Sequence, residues 1–265
     1  MRYCIATWNY LEPGAGTLGL IEQFADVGFD AVSFLPRQIL QLDDRQREGL
    51  KSLLEARSLA ATVHGNFELT GEQVAELLDV LGEALRCLTM DALTDHDHGV
   101  RRFNARAMAE LLGEIEARSR GTDLRFGVED FPLDGETIEE HRRDLQPLLA
   151  CPRYGMLIDV GHMNIRRHGA DSGSVQECLA RAPRPVIEVH LHDNAGQKDS
   201  HGHFGFGNIR FEDVASGLAA IGFDGVATIE IGPSLHGSTP SASRPRVAES
   251  LAVWRRLWAG ASAGG

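Results

Sequence analysis

The sequence predicts a single (β/α)8 TIM barrel of the α/β class, and three observations carry that prediction. Eight short apolar runs alternate with amphipathic helical stretches from one end of the chain to the other. Strict β-then-α alternation means a parallel sheet with helices outside it. Eight such units close a sheet into a barrel, and 265 residues match the roughly 250 that one barrel needs. Polar residues gather at the ends of the strand candidates, the rim where such barrels keep their active sites. A doubly wound open sheet is the competing arrangement for the same alternation.

The strand candidates are, in order, Tyr3–Thr7, Ala31–Leu35, Ala60–His64, Cys87–Asp91, Arg125–Phe131, Tyr154–Asp159, Val186–His192 and Val226–Ile231. Helix candidates lie between and after them near 17–27, 44–58, 71–85, 103–118, 136–149, 173–181, 211–221 and 245–258. In the third helix candidate, Val74, Leu77, Leu78, Leu81 and Leu85 share one stripe, the period of a core-facing helix. One domain over residues 1–258 accounts for the pattern, and the small-residue tail 259–265 is expected to fray.

Composition narrows the partners. Hydrophobic residues make up 43% of the chain, enough for a sizeable core. No run of about 18 apolar residues appears, so no membrane span is expected. The first residues, Met1-Arg2-Tyr3-Cys4-Ile5-Ala6-Thr7, turn polar too soon for a signal peptide. Cys4, Cys87, Cys151 and Cys178 are far apart and form no CxxC; Cys4 and Cys87 sit in strand-like runs. Buried thiols and a cytoplasmic, reducing setting are the expectation. With 38 acidic against 26 basic residues the net charge is −12, which disfavours a nucleic-acid partner, because phosphate binding needs a basic footprint. A homo-oligomer is compatible with the sequence.

Strand parity locates the lumen. In Val186-Ile187-Glu188-Val189-His190-Leu191-His192 residues at i and i+2 share a face. Ile187, Val189 and Leu191 suit the helix layer, so Glu188, His190 and His192 point into the barrel.

Four consecutive strand candidates end in groups that bind cations. The segments are Gly127-Val128-Glu129-Asp130-Phe131-Pro132, Leu157-Ile158-Asp159-Val160-Gly161-His162, His190-Leu191-His192-Asp193-Asn194 and Thr228-Ile229-Glu230-Ile231-Gly232-Pro233. One group from each can converge: Glu129, Asp159, His190 and Glu230. Three carboxylates and an imidazole form a mostly hard donor set suited to Mn²⁺, Mg²⁺ or Co²⁺, with Zn²⁺ also accommodated. Any one of them alone reads equally well as a strand-end salt bridge; equivalent positions on four strands favour the metal.

A second set comprises His162, Asp199 and His201, the last two in the loop Asp199-Ser200-His201-Gly202-His203. Two imidazoles and a carboxylate can hold Zn²⁺ or Fe²⁺, or can clamp a substrate. His64, ending Thr62-Val63-His64-Gly65-Asn66, faces the same rim and reads as a substrate hydrogen-bonding group before it reads as a ligand. Gly14-Ala15-Gly16-Thr17-Leu18-Gly19 satisfies the dinucleotide pattern G-x-G-x-x-G, but its loop is long. The second strand also ends Ser33-Phe34-Leu35-Pro36-Arg37 without the ribose-binding acid. It is read as a glycine-rich rim loop, and no nicotinamide cofactor is expected.

The series Glu129-Asp130-Phe131-Pro132, Asp159-x-x-His162, His190-Leu191-His192-Asp193, Asp199-x-His201, Gly205-Phe206-Gly207-Asn208-Ile209 and Glu230 resembles the xylose-isomerase-like barrel superfamily. The resemblance spans nearly the whole chain and is strongest over 125–233. That superfamily holds sugar and inosose isomerases, epimerases and dehydratases, and metal-dependent apurinic-site endonucleases. The resemblance implies that Glu129, Asp159, His190 and Glu230 share one metal. It also implies that Glu129 and Glu230 act as an acid/base pair on opposite faces of the substrate. Against the three-metal nuclease branch, His162, Asp199 and His201 match one further site completely. The remaining site is matched by His64, but the fourth strand ends Leu88-Thr89-Met90-Asp91-Ala92 where that branch has a histidine. His96 and His98 are the nearest substitutes. Asn194-Ala195-Gly196-Gln197-Lys198 offers only a lysine where the isomerase branch often carries an arginine.

These readings lead to a divalent-metal enzyme, Mn²⁺ first among the candidates, acting on a small polyhydroxylated sugar or cyclitol. The expected reaction is isomerisation or epimerisation by proton transfer beside a carbonyl, through a metal-bound enediolate. A dehydratase acting on a keto-sugar or keto-cyclitol would use the same site. The alternative of another class is a phosphodiester hydrolase of the apurinic-site endonuclease kind. A metal-dependent oxygenase and a barrel that only binds a sugar-like ligand stand further back.

Overall fold

A computed structural model describes residues 1–10, 16–65, 69–91, 94–97, 100–130, 138–146, 153–165, 179–182 and 185–263. Eight parallel strands close into a barrel. They are β1 (Arg2–Ala6), β2 (Ala31–Phe34), β3 (Ala60–Gly65), β4 (Leu85–Met90), β7 (Arg125–Glu129), β8 (Tyr154–Asp159), β9 (Val186–Leu191) and β10 (Val226–Ile229). The ring runs β1-β10-β9-β8-β7-β4-β3-β2, so every strand lies beside its barrel neighbours in sequence. The eight strand candidates all form. Their C-terminal limits differ by a residue or two, because chain leaving the sheet at the rim stops pairing. The fifth candidate's Phe131 lies outside the described residues.

The helices are α1 (Thr17–Val27), α2 (Pro36–Leu40), α3 (Asp44–Ala56), α4 (Gly71–Leu81), α5 (Ala105–Arg118), α6 (Ile138–Leu145), α7 (Val160–Asn164), α8 (Phe211–Ala220) and α9 (Pro240–Ser262). Helix α4 is shorter than its stripe predicted. Gly82 adopts φ 51°, ψ −135°, a conformation open to glycine. The chain then makes a 3-10 turn, so Leu85 opens β4. Helix α9 starts earlier than residue 245: Thr239 caps it by accepting from the Ala242 amide at 3.2 Å, with Pro240 in the first turn. It runs on to Ser262, into the stretch expected to fray, because Val247, Leu251 and Trp254 are buried along it. Of the 173–181 candidate, residues 179–181 are helical and the remainder lies outside the described residues. The short helices α2 and α7 have no counterpart among the helix candidates, nor has an antiparallel hairpin of β5 (Thr94–Asp97) with β6 (Val100–Phe103) in the loop after β4. His96 lies in β5, and His98 lies outside the described residues.

Apolar side chains of α1, α3, α4, α5, α8 and α9 pack on the outward face of the strands, with Ile5, Val32, Val63, Leu88, Val189 and Ile229 all fully buried. The lumen starts with a small apolar layer of Cys4, Ala31, Ala60 and Val226 and turns polar toward the C-terminal rim. Cys4, Ser33, Thr62, Thr89, Glu188 and Thr228 are buried in the barrel ring. Cys4 and Cys87 are both free and buried. Among the described residues, no helix is long and apolar enough to cross a membrane.

Candidate metal centre and active site at the barrel rim

The register of the second half of the barrel brings its strand ends together. Asp159, last in β8, pairs with His190 of β9, and His190 in turn pairs with Thr228 of β10. Glu230 stands one pleat above Thr228, on the same face. Asp159, His190 and Glu230 therefore offer ligand atoms that all lie within 4.8 Å of one another. His190 Nδ1 sits 2.9 Å from Glu230 Oε2 and 3.9 Å from Asp159 Oδ2. Glu129, last in β7, joins a second cluster with Asp159 and His162. His162 Nδ1 lies 3.2 Å from Glu129 Oε1. The four residues expected to share one ion are thus arranged as two triads with Asp159 in common.

The second predicted set is gathered around a single oxygen. Asp199 Oδ2 accepts from His201 Nε2 at 2.9 Å and lies 3.3 Å from His162 Nε2. His201 also groups with His192 and Glu230, and its ring stacks on His192 with centroids 4.0 Å apart. Its backbone is left-handed, φ 46°, an uncommon state for a residue with a side chain. The Gly232 amide holds its carbonyl at 2.8 Å. Both His201 ring nitrogens face acceptors, Asp199 Oδ2 and the Glu230 carbonyl oxygen. Burial opposes the charged form, but Glu230 and Asp199 outweigh it and raise the imidazole to about 9.

His64 reaches the same rim from β3. Its Nε2 lies 3.4 Å from Glu129 Oε2 and 3.6 Å from Asp91 Oδ1, and these three residues form a further cluster of ligand type. Trp8, just beyond β1, stacks over His64 at 6.0 Å.

Sequence reasoning gave no role to four residues that the structure brings into the site. Strand parity turns His192 and Glu188 into the lumen, yet their work needs partners on other strands. His192 Nε2 donates to both oxygens of Asp159, at 3.0 and 3.1 Å. Asp91 carried the signal of an acid ending a barrel strand. Trp8 carried that of an aromatic beyond β1. Asp193 is a structural addition: its carboxylate accepts from the amides of Gly205, Gly207 and Ile209 and folds the loop bearing Asp199 and His201 back onto the barrel.

Electrostatics set the carboxylates apart. Burial pushes Glu230 up, but His201 and His190 outweigh it and hold its carboxyl down at about 2. Asp159 is held well below the carboxylate range by His162 and His192 despite its burial. Burial wins at Glu129, which rises to about 7 even with His162 and His64 beside it.

The donor set fits a divalent cation. Asp159, Glu188 and Glu230 are buried anions, and each ion pair they make among the described residues is with an imidazole. A buried anion is tolerated when a cation or ligated metal compensates it. Among the described residues, Nε2 of His190 and Nδ1 of His192 are buried without a hydrogen-bond partner. Oxygen donors with one imidazole suit Mn²⁺, Mg²⁺ or Co²⁺, and Zn²⁺ is compatible.

A closed barrel whose C-terminal rim concentrates carboxylates and imidazoles defines a rim-active barrel with a candidate metal centre. The chain belongs to the xylose isomerase-like TIM barrel family, whose model matches residues 21–257. An uncharacterized protein of Methanocaldococcus jannaschii is 24% identical over 239 residues, covering 79% of this chain and 77% of that one. The structure of D-psicose 3-epimerase with D-tagatose from Clostridium cellulolyticum superposes with a TM-score of 0.72 at 16% identity, over 97% of this chain and 99% of that one. The structure of IOLI protein with a bound zinc atom gives a TM-score of 0.70 at 15% identity, over 100% and 99%. At these identities the likeness is one of fold.

Proposed function

We propose that this protein is a divalent-metal-dependent isomerase or epimerase of a small polyhydroxylated carbonyl compound, a ketose or a cyclitol ketone. The observation that carries the reading is the pair of rim triads sharing Asp159, one ending in Glu129 and the other in Glu230. The epimerase named above and the zinc described in the IOLI structure support it by analogy of fold. Asp159, His190 and Glu230 would hold the ion, with Glu129 completing the set from β7. An ion held by these residues would supply Lewis-acid polarisation of a substrate carbonyl and so acidify the adjacent C–H bond.

The chain's own groups then divide the proton work. Glu230 stays ionised across the neutral range and serves as a base. Glu129 approaches from β7 as the second acid/base group; an ion held there would keep both carboxylates ionised near neutral pH, so either can take a proton. His162 and His201, tied together by Asp199, would clamp substrate hydroxyl or carbonyl oxygens by exchanging a contact that each ring now makes with the protein. The experiment is a screen of ketoses and inososes in D₂O with Mn²⁺, following new C–D bonds by NMR. Metal-dependent deuterium incorporation beside the carbonyl, with appearance of an isomer or epimer, is expected. Metal binding with no exchange on any polyol ketone would refute the reading, and a dehydrated product would move it to a lyase.

A further inference from the structure

Below the rim lies a buried anion that the proton chemistry does not use. Glu188 of β9 points into the lumen and is fully buried. Thr228 Oγ1 donates to its Oε1 at 2.5 Å, and Thr89 Oγ1 donates to its Oε2 at 3.1 Å. Thr62 Oγ1 lies 3.3 Å from Oε1. Three strands thus converge on one carboxylate, which fixes its position.

Each oxygen of that carboxylate leads to an imidazole of the rim. Thr89 has one hydroxyl proton, and giving it to Glu188 leaves Oγ1 to accept from His64 Nδ1 at 3.2 Å. That bond places a proton on His64 Nδ1 and leaves Nε2 as the ring atom that faces Glu129 and Asp91. On the other side, Oε1 lies 3.7 Å from His190 Nε2, an ion-pair separation at which the carboxylate charge favours a proton on that nitrogen, which is buried and has no hydrogen bond among the described residues. The opposite ring nitrogen, Nδ1, is the one that faces Asp159 and Glu230. A neutral imidazole can ligate through Nδ1 only if its proton sits on Nε2. The geometry points to Glu188 as a positioning residue that selects the tautomers of two rim histidines: through Thr89 it makes His64 present Nε2, and directly it makes His190 present Nδ1. This rests on reading Asp159, His190 and Glu230 as a metal centre. Outer carboxylates that orient a ligating histidine contribute about 10- to 100-fold to metal affinity.

The test compares wild type with Glu188→Gln, which keeps the shape and removes the charge. Zn²⁺ affinity of the metal-free proteins is measured by competition with a chromophoric chelator, without substrate. The Gln variant is expected to bind Zn²⁺ about 10- to 100-fold more weakly while the metal-free proteins melt within a few degrees of each other, a separation that a merely structural role does not give. Equal affinity in the two proteins would overturn the role of Glu188 alone; no Zn²⁺ uptake by wild type would overturn the metal centre as well. Should the variant fail to fold, ¹⁵N NMR of histidine-labelled, Zn²⁺-loaded wild type decides. Protons on His64 Nδ1 and His190 Nε2 uphold the assignment, and the opposite tautomer at either ring overturns it.

Discussion

Gly161 offers a test of how tightly the rim is built. It follows Asp159 by two residues, in the first turn of α7, and a Cβ placed there would lie 1.9 Å from His192 Cε1, 2.4 Å from Nε2 and 2.5 Å from Nδ1. Ordinary contact needs about 3.4 Å or more, so the imidazole must retreat by roughly 1 to 1.5 Å. It has little room: His192 is fully buried, stacked on His201 and bonded through Nε2 to both oxygens of Asp159. Overpacking of this kind costs about 1–3 kcal/mol, and a lost hydrogen bond to a charged group costs about 1.5–3 kcal/mol. Gly161→Ala should therefore lose roughly 3–6 kcal/mol, a fall in Tm on the order of 10 °C for a chain of this size. Helix propensity alone predicts the opposite sign, a gain of about 1 kcal/mol. Thermal melts of the metal-free proteins measure the stability. A parallel chelator competition should show weaker metal binding, because Asp159 loses the group that orients it. A variant as stable as wild type, with unchanged metal affinity, would refute the close approach of Gly161 and His192.

Further outcomes follow from the same geometry. Asp159→Asn should lose bound metal by elemental analysis, and equal metal in both proteins would remove Asp159 from the ligands. Glu230→Gln should retain its fold and turn over at least about 100-fold more slowly, while substrate C–H exchange with D₂O survives in part through Glu129; near-normal turnover with metal bound would refute the two-carboxylate scheme. His201→Ala should slow turnover and leave one ion per chain if the loop is a clamp, and a fall from two ions to one would refute the clamp. Cys4 and Cys87 are buried, and burial with the nearby Glu188 raises both thiols well above their ordinary range. The unfolded thiols ionise above about pH 8.5 while the folded ones do not, so each lowers stability by up to about 1.4 kcal/mol per pH unit there. Denaturant unfolding of wild type and Cys4→Ala between pH 7.5 and 9.5 should show a shallower decline in the variant, and parallel declines would refute it.

Much of this molecule is legible one strand at a time. The alternation of apolar runs and helical stripes specifies a parallel barrel, because each element's period tells which face it must bury. The two-residue period of β9 sends Glu188, His190 and His192 inward, and the strand ends of the second half name Glu129, Asp159, His190 and Glu230. What strand periodicity leaves open is distance across the lumen and the course of the loops. Grouping Glu129 with His162 and His64, as well as with Asp159, depends on how far β7 stands from β3 around the closed ring. His201 meets Asp199 and His192 because Asp193 draws in three amides of its loop, contacts that no local pattern encodes. Glu188 acquires its partners from Thr62, Thr89 and Thr228, the first of them 126 residues away in the chain. Local periodicity decides which way a side chain points. Only closure of the barrel decides what it meets, since hydrogen bonds and ion pairs act over about 3–4 Å between atoms whose separation along the chain carries no such information.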